Sequence, residues 1–154
     1  MTIFKAEQWN LDSLHALFER YRVAQGMPES PERTRAFLTD RIRFSESIFF
    51  MAVDDARRPL GFIQLYPRLS SLQLQRYWQL TDIFVCDVPN HTEIYTALIA
   101  KAKEFVRYTQ STRLVVEQTH QQEAILAREG FRINPQKRIF ELNLSEPPPA
   151  HSKV

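Results

Sequence analysis

This sequence predicts a single α/β domain built on a twisted mixed sheet of six to seven strands with helices on both faces. Three observations carry that expectation. Apolar residues make up 44% of the 154 residues and charged residues 25%, the balance of one compact domain with its own core. Strand and helix periodicities follow one another in the order β, α, α, β, β, β, α, β, α, β, β. The stretch from Arg76 to Gln118 reads as strand, helix, strand, the unit that makes a parallel crossover. The domain is expected to span residues 1–144, and the Pro-rich tail Ser145 to Val154 to be disordered.

Thr2 to Lys5 reads as the first strand. A helix follows from about Leu11, capped by Asn10 and stopped near Gly26, with Leu11, Leu14, Leu17, Phe18 and Tyr21 as its buried stripe. Ser30-Pro31 starts a second helix, whose inward face is expected to be Ala36, Phe37, Leu38 and Ile42. Ser47 to Asp54 and Leu60 to Tyr66 form a hairpin about the turn Asp55 to Pro59, with Pro67 weakening or ending the second strand. Arg76 to Cys86 is a long strand. Thr92 to Tyr108 is a helix with Ile94, Ala97, Leu98, Ala102 and Phe105 on one side. A strand at Arg113 to Gln118, a short helix from Gln121 to Glu129 closed by Gly130, and strands around Phe131 and from Lys137 to Leu144 complete the order.

Composition excludes several classes of function. Cys86 is the only cysteine, so no internal disulfide forms and multi-cysteine metal patterns fail; it reads as a small buried hydrophobe. His15, His91, His120 and His151 are scattered without metal-ligand spacing, and no strand–turn–helix serine elbow is present. A net charge of +2, with basic and acidic residues interleaved, gives little footing for nucleic acid. The longest apolar block, Ile48 to Val53, is too short to span a bilayer, and a cytoplasmic protein is expected.

Together with the element order, Pro59-Leu-Gly-Phe-Ile-Gln64, Leu80-Thr-Asp-Ile-Phe-Val85 and Ala127-Arg-Glu-Gly-Phe131 resemble the GNAT superfamily of acyl-CoA-dependent N-acyltransferases, from Thr2 to Leu144. The resemblance implies acetyl-CoA as cofactor and a primary amine of a small molecule or protein as acceptor, attacking directly within a ternary complex. It also implies that the backbone of Ile83, Phe84 and Val85 pairs with the pantetheine arm, and that the loop carrying Asn90, His91, Glu93 and Tyr95 meets the pyrophosphate. Arg107 is a further candidate for a phosphate. Asp82 and Glu117 are the carboxylates placed to take a proton from the acceptor ammonium, Glu117 being the favoured one. Tyr21, Tyr66 and Trp78 would line an acceptor groove. A homodimer is a further expectation.

Three positions in two elements depart from the family pattern. Where the phosphate loop has small residues this chain has Glu93 and Tyr95, and Asn90 with Glu93 also fits a capping box that serves the helix itself. Where the family's tyrosine protonates the departing thiolate, this chain has Leu126, which has no proton to give. Asp82, Glu117 and the aromatic residues also have structural readings, as hydrogen-bonding or core residues. An enzyme and a non-catalytic GNAT-fold binding or dimerisation module therefore both stand. The enzyme requires a continuous cleft between the Asp82 and Glu117 strands, with backbone N–H groups near Val85 to Glu93 pointing into it; the module requires Glu93 to cap its helix and side chains such as Tyr95 or Leu126 to fill that cleft.

Overall fold

Four antiparallel strands form most of the sheet: β1 (Thr2–Lys5), β2 (Ile48–Val53), β3 (Pro59–Ser70) and β4 (Gln75–Val85) lie side by side in chain order. A fifth, β5 (Leu114–Val116), adds in parallel to β4. The computed structural model describes residues 1–116, 123–134 and 140–144, and among these the sheet has five strands, not six or seven. Between β1 and β2 come a short 3-10 turn (Gln8–Asn10), α1 (Leu11–Ala24) and α2 (Pro31–Arg43). Helix α3 (His91–Tyr108) is the crossover from β4 to β5, and α4 (Glu123–Arg128) follows.

The alternating pleat of each strand divides the core into two layers. Phe49, Met51 and Phe62 face α1 and α2, packing with Leu14, Leu17, Phe18 and Leu38. Phe50, Ile63, Leu65 and Leu80 face α3, packing with Ile94, Leu98, Ile99 and Ala102. The stripe expected on α1 is the one that is buried, and Tyr21 is partly so. On α2 the expectation fails in part. Thr34 and Leu38 are buried and Ile42 is partly so, whereas Ala36 is exposed and Phe37 lies at the rim of the layer, its ring stacked on Phe18 with centroids 6.3 Å apart. Thr34 turns inward because its hydroxyl donates to Glu19 on α1, which also accepts Ser30 N–H at 2.9 Å and Arg22 at 3.0 Å. The Thr34 hydroxyl and these other donors hold the Glu19 carboxyl below the usual carboxylate range.

Helix ends follow glycine as expected. Gly26 at φ +90° and Gly130 at φ +95° sit in the left-handed region, each closing a Schellman turn. In the second turn Phe131 N–H bonds the Leu126 carbonyl at 3.0 Å and its side chain packs on the α3 layer. Phe131 is thus the last residue of a helix cap, which is why no strand forms there. Residues 140–144 are likewise outside any strand, and the rest of the strand expected from Lys137 lies outside the described residues.

Pro67 does not end β3, which runs on to Ser70 opposite Gln75. The ladder explains this. Cys86 N–H bonds the Leu60 carbonyl, so even-numbered residues of β3 bond to β4 and odd-numbered ones turn toward β2. Pairing with β2 stops at Leu65, so Pro67 lacks an N–H only where no partner strand lies among the described residues. Asn10 precedes α1, but its side chain accepts Glu7 N–H at 2.9 Å and makes no cap bond to the helix. No helix among the described residues is long and apolar enough to cross a membrane.

Candidate active site

A bulge in β4 aims the central carboxylate. Gln64 pairs with Asp82 but Leu65 pairs with Leu80, so Thr81 is an extra residue on β4. Leu80 and Ile83 consequently both face α3, and Asp82 turns to the α1 side. In a regular strand Asp82 would point into the apolar layer under α3.

Asp82 is held by three donors. Its Oδ1 accepts the Tyr21 hydroxyl at 2.7 Å, and its Oδ2 accepts Gln64 Nε2 and the Thr81 hydroxyl, each at 2.6 Å. Gln64 is fixed in turn, its Oε1 accepting the buried Ser47 hydroxyl at 2.8 Å. An ionised carboxylate has about four lone-pair sites, so one site on Oδ1 remains for another donor. Asp82 is only partly buried, which leaves that site within reach of a ligand. Burial first, and the neighbouring Asp82 second, push the Tyr21 hydroxyl well above its ordinary pKa, so Tyr21 stays a donor to the carboxylate.

Beyond the bulge, no strand among the described residues covers the outer edge of β4. Pairing with β5 covers Trp78 to Leu80 against Leu114 to Val116, and from Thr81 onward β4 pairs only with β3 among the described residues. Because Cys86 bonds back to β3, so do Phe84 and Asp82, and the backbone groups of Ile83 and Val85 point the other way. That edge borders a cleft of about 500 Å³, between Ala24 to Gly26 at the end of α1, Ile83 to Val85, and His91 and Tyr95 on α3.

The start of α3 is not self-capped, contrary to the capping-box reading of Asn90 and Glu93. Asn90 has φ −96° and ψ 29°, outside the extended geometry that carries a capping side chain over the first turn, and it makes no such bond. Only its carbonyl is engaged, by Ile94 N–H at 3.1 Å. The Thr92 and Glu93 N–H groups have no protein partner among the described residues, and the Glu93 side chain is exposed. A free helix start beside a cleft suits an anion.

The remaining candidates separate. Tyr95 is buried in the α3 layer, lines the cleft and stacks on His91 with ring centroids 6.4 Å apart. Leu126 packs into the same layer and does not line the cleft. Tyr66 is half-buried on the Asp82 side of the sheet, with the Arg68 guanidinium 5.4 Å from its ring centre. Trp78 is not in an acceptor groove. It is 4% exposed under α3, its Nε1 donates to the Thr109 hydroxyl at 2.9 Å, and its ring meets Phe105 edge-on. Arg107 lies in the last turn of α3, about 24 Å along the helix from His91 at 1.5 Å per residue, far from any phosphate at its start. Glu117 lies outside the described residues. Ser47 and Gln64 belong to the hydrogen-bond chain that holds Asp82, which the sequence reading missed, although a glutamine inside Phe62-Ile-Gln-Leu65 breaks an otherwise apolar strand.

Known proteins bear on this geometry. No family model matches the chain. A Haemophilus influenzae protein described as a probable acetyltransferase is 61% identical over 145 residues, 94% of this chain and 99% of that one. YhfO of Bacillus subtilis, described as an uncharacterized N-acetyltransferase, is 27% identical over 120 residues, 78% of this chain and 80% of its own. A crystal structure of a probable acetyltransferase superposes with a TM-score of 0.87 at 36% identity, covering 96% of this chain and 100% of its own. A "predicted acetyltransferase with acetyl-CoA" from Clostridium acetobutylicum shares the fold, with a TM-score of 0.76 at 11% identity over 94% of this chain and 96% of its own. A 61% match to a probable acetyltransferase over nearly the full length of both chains, on a sheet whose fourth strand bulges beside a crossover helix, leads to one conclusion: the chain belongs to the GNAT family of acetyltransferases.

Proposed function

We propose that this chain is an active N-acetyltransferase that moves an acetyl group from acetyl-CoA to a primary amine of a small molecule or protein. One observation carries the reading: the β4 edge at Ile83 and Val85, uncovered among the described residues, borders a cleft of about 500 Å³ that reaches an uncapped helix start. Bound there, acetyl-CoA supplies an activated thioester carbonyl. The main chain of Ile83 and Val85 binds the amide-bearing arm as an added strand would. Thr92 and Glu93 N–H groups, with the α3 dipole, hold the phosphates. The open Oδ1 site of Asp82 takes the acceptor ammonium and its proton, while Tyr21, Gln64 and Thr81 keep the carboxylate in place. Glu117 stands as the second candidate base.

The non-catalytic module is the competing reading, and the exposed, non-capping Glu93 weighs against it. A thermal-shift titration separates the two. Acetyl-CoA at 100 times its dissociation constant is expected to add about 2.7 kcal/mol of stability. For a chain of this length that raises the midpoint by roughly 5–10 °C. An unchanged midpoint at millimolar acetyl-CoA would sink the enzyme reading.

A further inference from the structure

We propose that the acceptor is an amine with an anionic group, a carboxylate or a phosphate, at the far end of an extended chain, and that Arg68 and Arg113 bind that group. The proposal rests on the acetyl-transfer reading above and names its substrate class. Its ground is the sheet face that presents Asp82. Gln64 bonds Asp82 on that face, so by the pleat Tyr66 and Arg68 stand there too, about 7 Å and about 13 Å further along β3. Their cross-strand partners on β4 are Gln79 and Tyr77. Trp78 pairs with Leu114, which sets Arg113 beside Tyr77, its guanidinium 4.1 Å from the centre of that ring. Arg68, Tyr77 and Arg113 thus make one row across the sheet, two rows out from Asp82.

Both guanidiniums are held without being neutralised. Arg68 Nε donates to the side-chain oxygen of Gln79 at 2.8 Å, and Arg113 Nη1 donates to that of Gln73 at 2.7 Å. Among the described residues neither has a carboxylate in ion-pair range, whereas Arg22, Arg35, Arg41 and Arg58 each have one. A neutral amide fixes a guanidinium and leaves its charge and its other N–H groups for an incoming oxyanion. Gln79 is buried, so Arg68 is anchored on the sheet itself, and its guanidinium lies back over Tyr66, 5.4 Å from the ring centre. The spacing sets the length of the acceptor. With its ammonium on the free Oδ1 site of Asp82, its anion would lie roughly 7–13 Å away, one to two rows along the sheet. Glycine, whose ammonium and carboxylate share one carbon, cannot reach both ends; a chain of several methylenes can, lying over Tyr66.

Calorimetric titrations of ε-aminocaproate, aminohexyl phosphate, hexylamine and hexanoate into the protein with millimolar CoA present make the test. The better of the two anionic amines should bind about tenfold or more tightly than hexylamine, the effect of one hydrogen bond to a charged group, and by a similar factor more tightly than hexanoate, which lacks the ammonium for Asp82. Which of the two is better tells whether the anion is a carboxylate or a phosphate. Arg68→Gln combined with Arg113→Gln should abolish the preference over hexylamine, and the paired lysine variants, which keep both charges, should keep part of it. The wild-type comparison stands even if a variant fails to fold. Hexylamine or hexanoate binding as tightly as both anionic amines, or a preference that survives in the double glutamine variant, overturns the proposal and leaves the acetyl-transfer reading in place. The expected preference in a protein that shows no thermal shift with acetyl-CoA overturns that reading and leaves the two-ended site.

Discussion

Asp82→Asn is expected to lower acetyl transfer by roughly 10²–10⁴-fold, the range for losing a positioned acid–base group. The substitution keeps the size of the side chain and removes its charge. Asp82 receives three donors, and an amide offers one oxygen and brings two donors of its own. If the new oxygen keeps the Tyr21 hydroxyl, its NH₂ meets Gln64 Nε2 and the Thr81 hydroxyl. Gln64 can turn over only by giving up the present orientation of its bond to Ser47. Stability should therefore fall by about 1–3 kcal/mol, the usual cost of an unsatisfied buried polar group. The measurements are thiol release from acetyl-CoA with an amine that the wild type accepts, and urea denaturation of both proteins. Wild-type turnover in Asp82→Asn would remove Asp82 from the chemistry and leave it a structural role.

Gly61→Ala should destabilise the fold by about 3 kcal/mol, at the upper end for overpacking, and abolish the acetyl-CoA thermal shift. A Cβ at Gly61 would stand 2.5 Å from the Phe84 carbonyl oxygen and 3.2 Å from the Val85 Cα. Both are backbone atoms in the segment that borders the cleft, so relief requires moving β4 itself. That movement disturbs the Cys86 to Leu60 hydrogen bond and displaces the Ile83 and Val85 groups proposed to bind the cofactor. A variant within 0.5 kcal/mol of the wild type, with the shift intact, would show that β4 yields easily and that its edge is not a fixed template. The figure of 0.5 kcal/mol is roughly the noise of a neutral surface change.

What the sequence made legible was whatever rests on period and composition. The α1 stripe, the long α3 helix and the glycine stops at Gly26 and Gly130 follow from local chemistry, and they stand where expected. Several of the features that failed depend on pairing between strands. Pro67 looked like a strand end, because only the register shows that its missing N–H faces away from β4. Trp78 looked like a groove residue, because its face of the sheet is set by the strand's place in the ladder. The Thr81 bulge, which turns Asp82 toward Tyr21, has no local signature in Leu80-Thr-Asp-Ile. Asn90 and Glu93 have the residue types of a capping box, but the backbone at Asn90 does not adopt the angles that the box needs. The site lies where these non-local features meet, which is why its elements were easier to place than its contacts.

The central claim is that the free backbone groups of β4 and α3 form the acetyl-CoA site. Amide nitrogen–proton spectra of the isotope-labelled protein, recorded during an acetyl-CoA titration, test it most directly. The largest, saturable shifts are expected at Ile83, Val85, Thr92 and Glu93, with Gly26 following as the opposite wall of the cleft. Saturable shifts confined to β1, β2 or the outer face of α2, with these amides unmoved, would contradict the account.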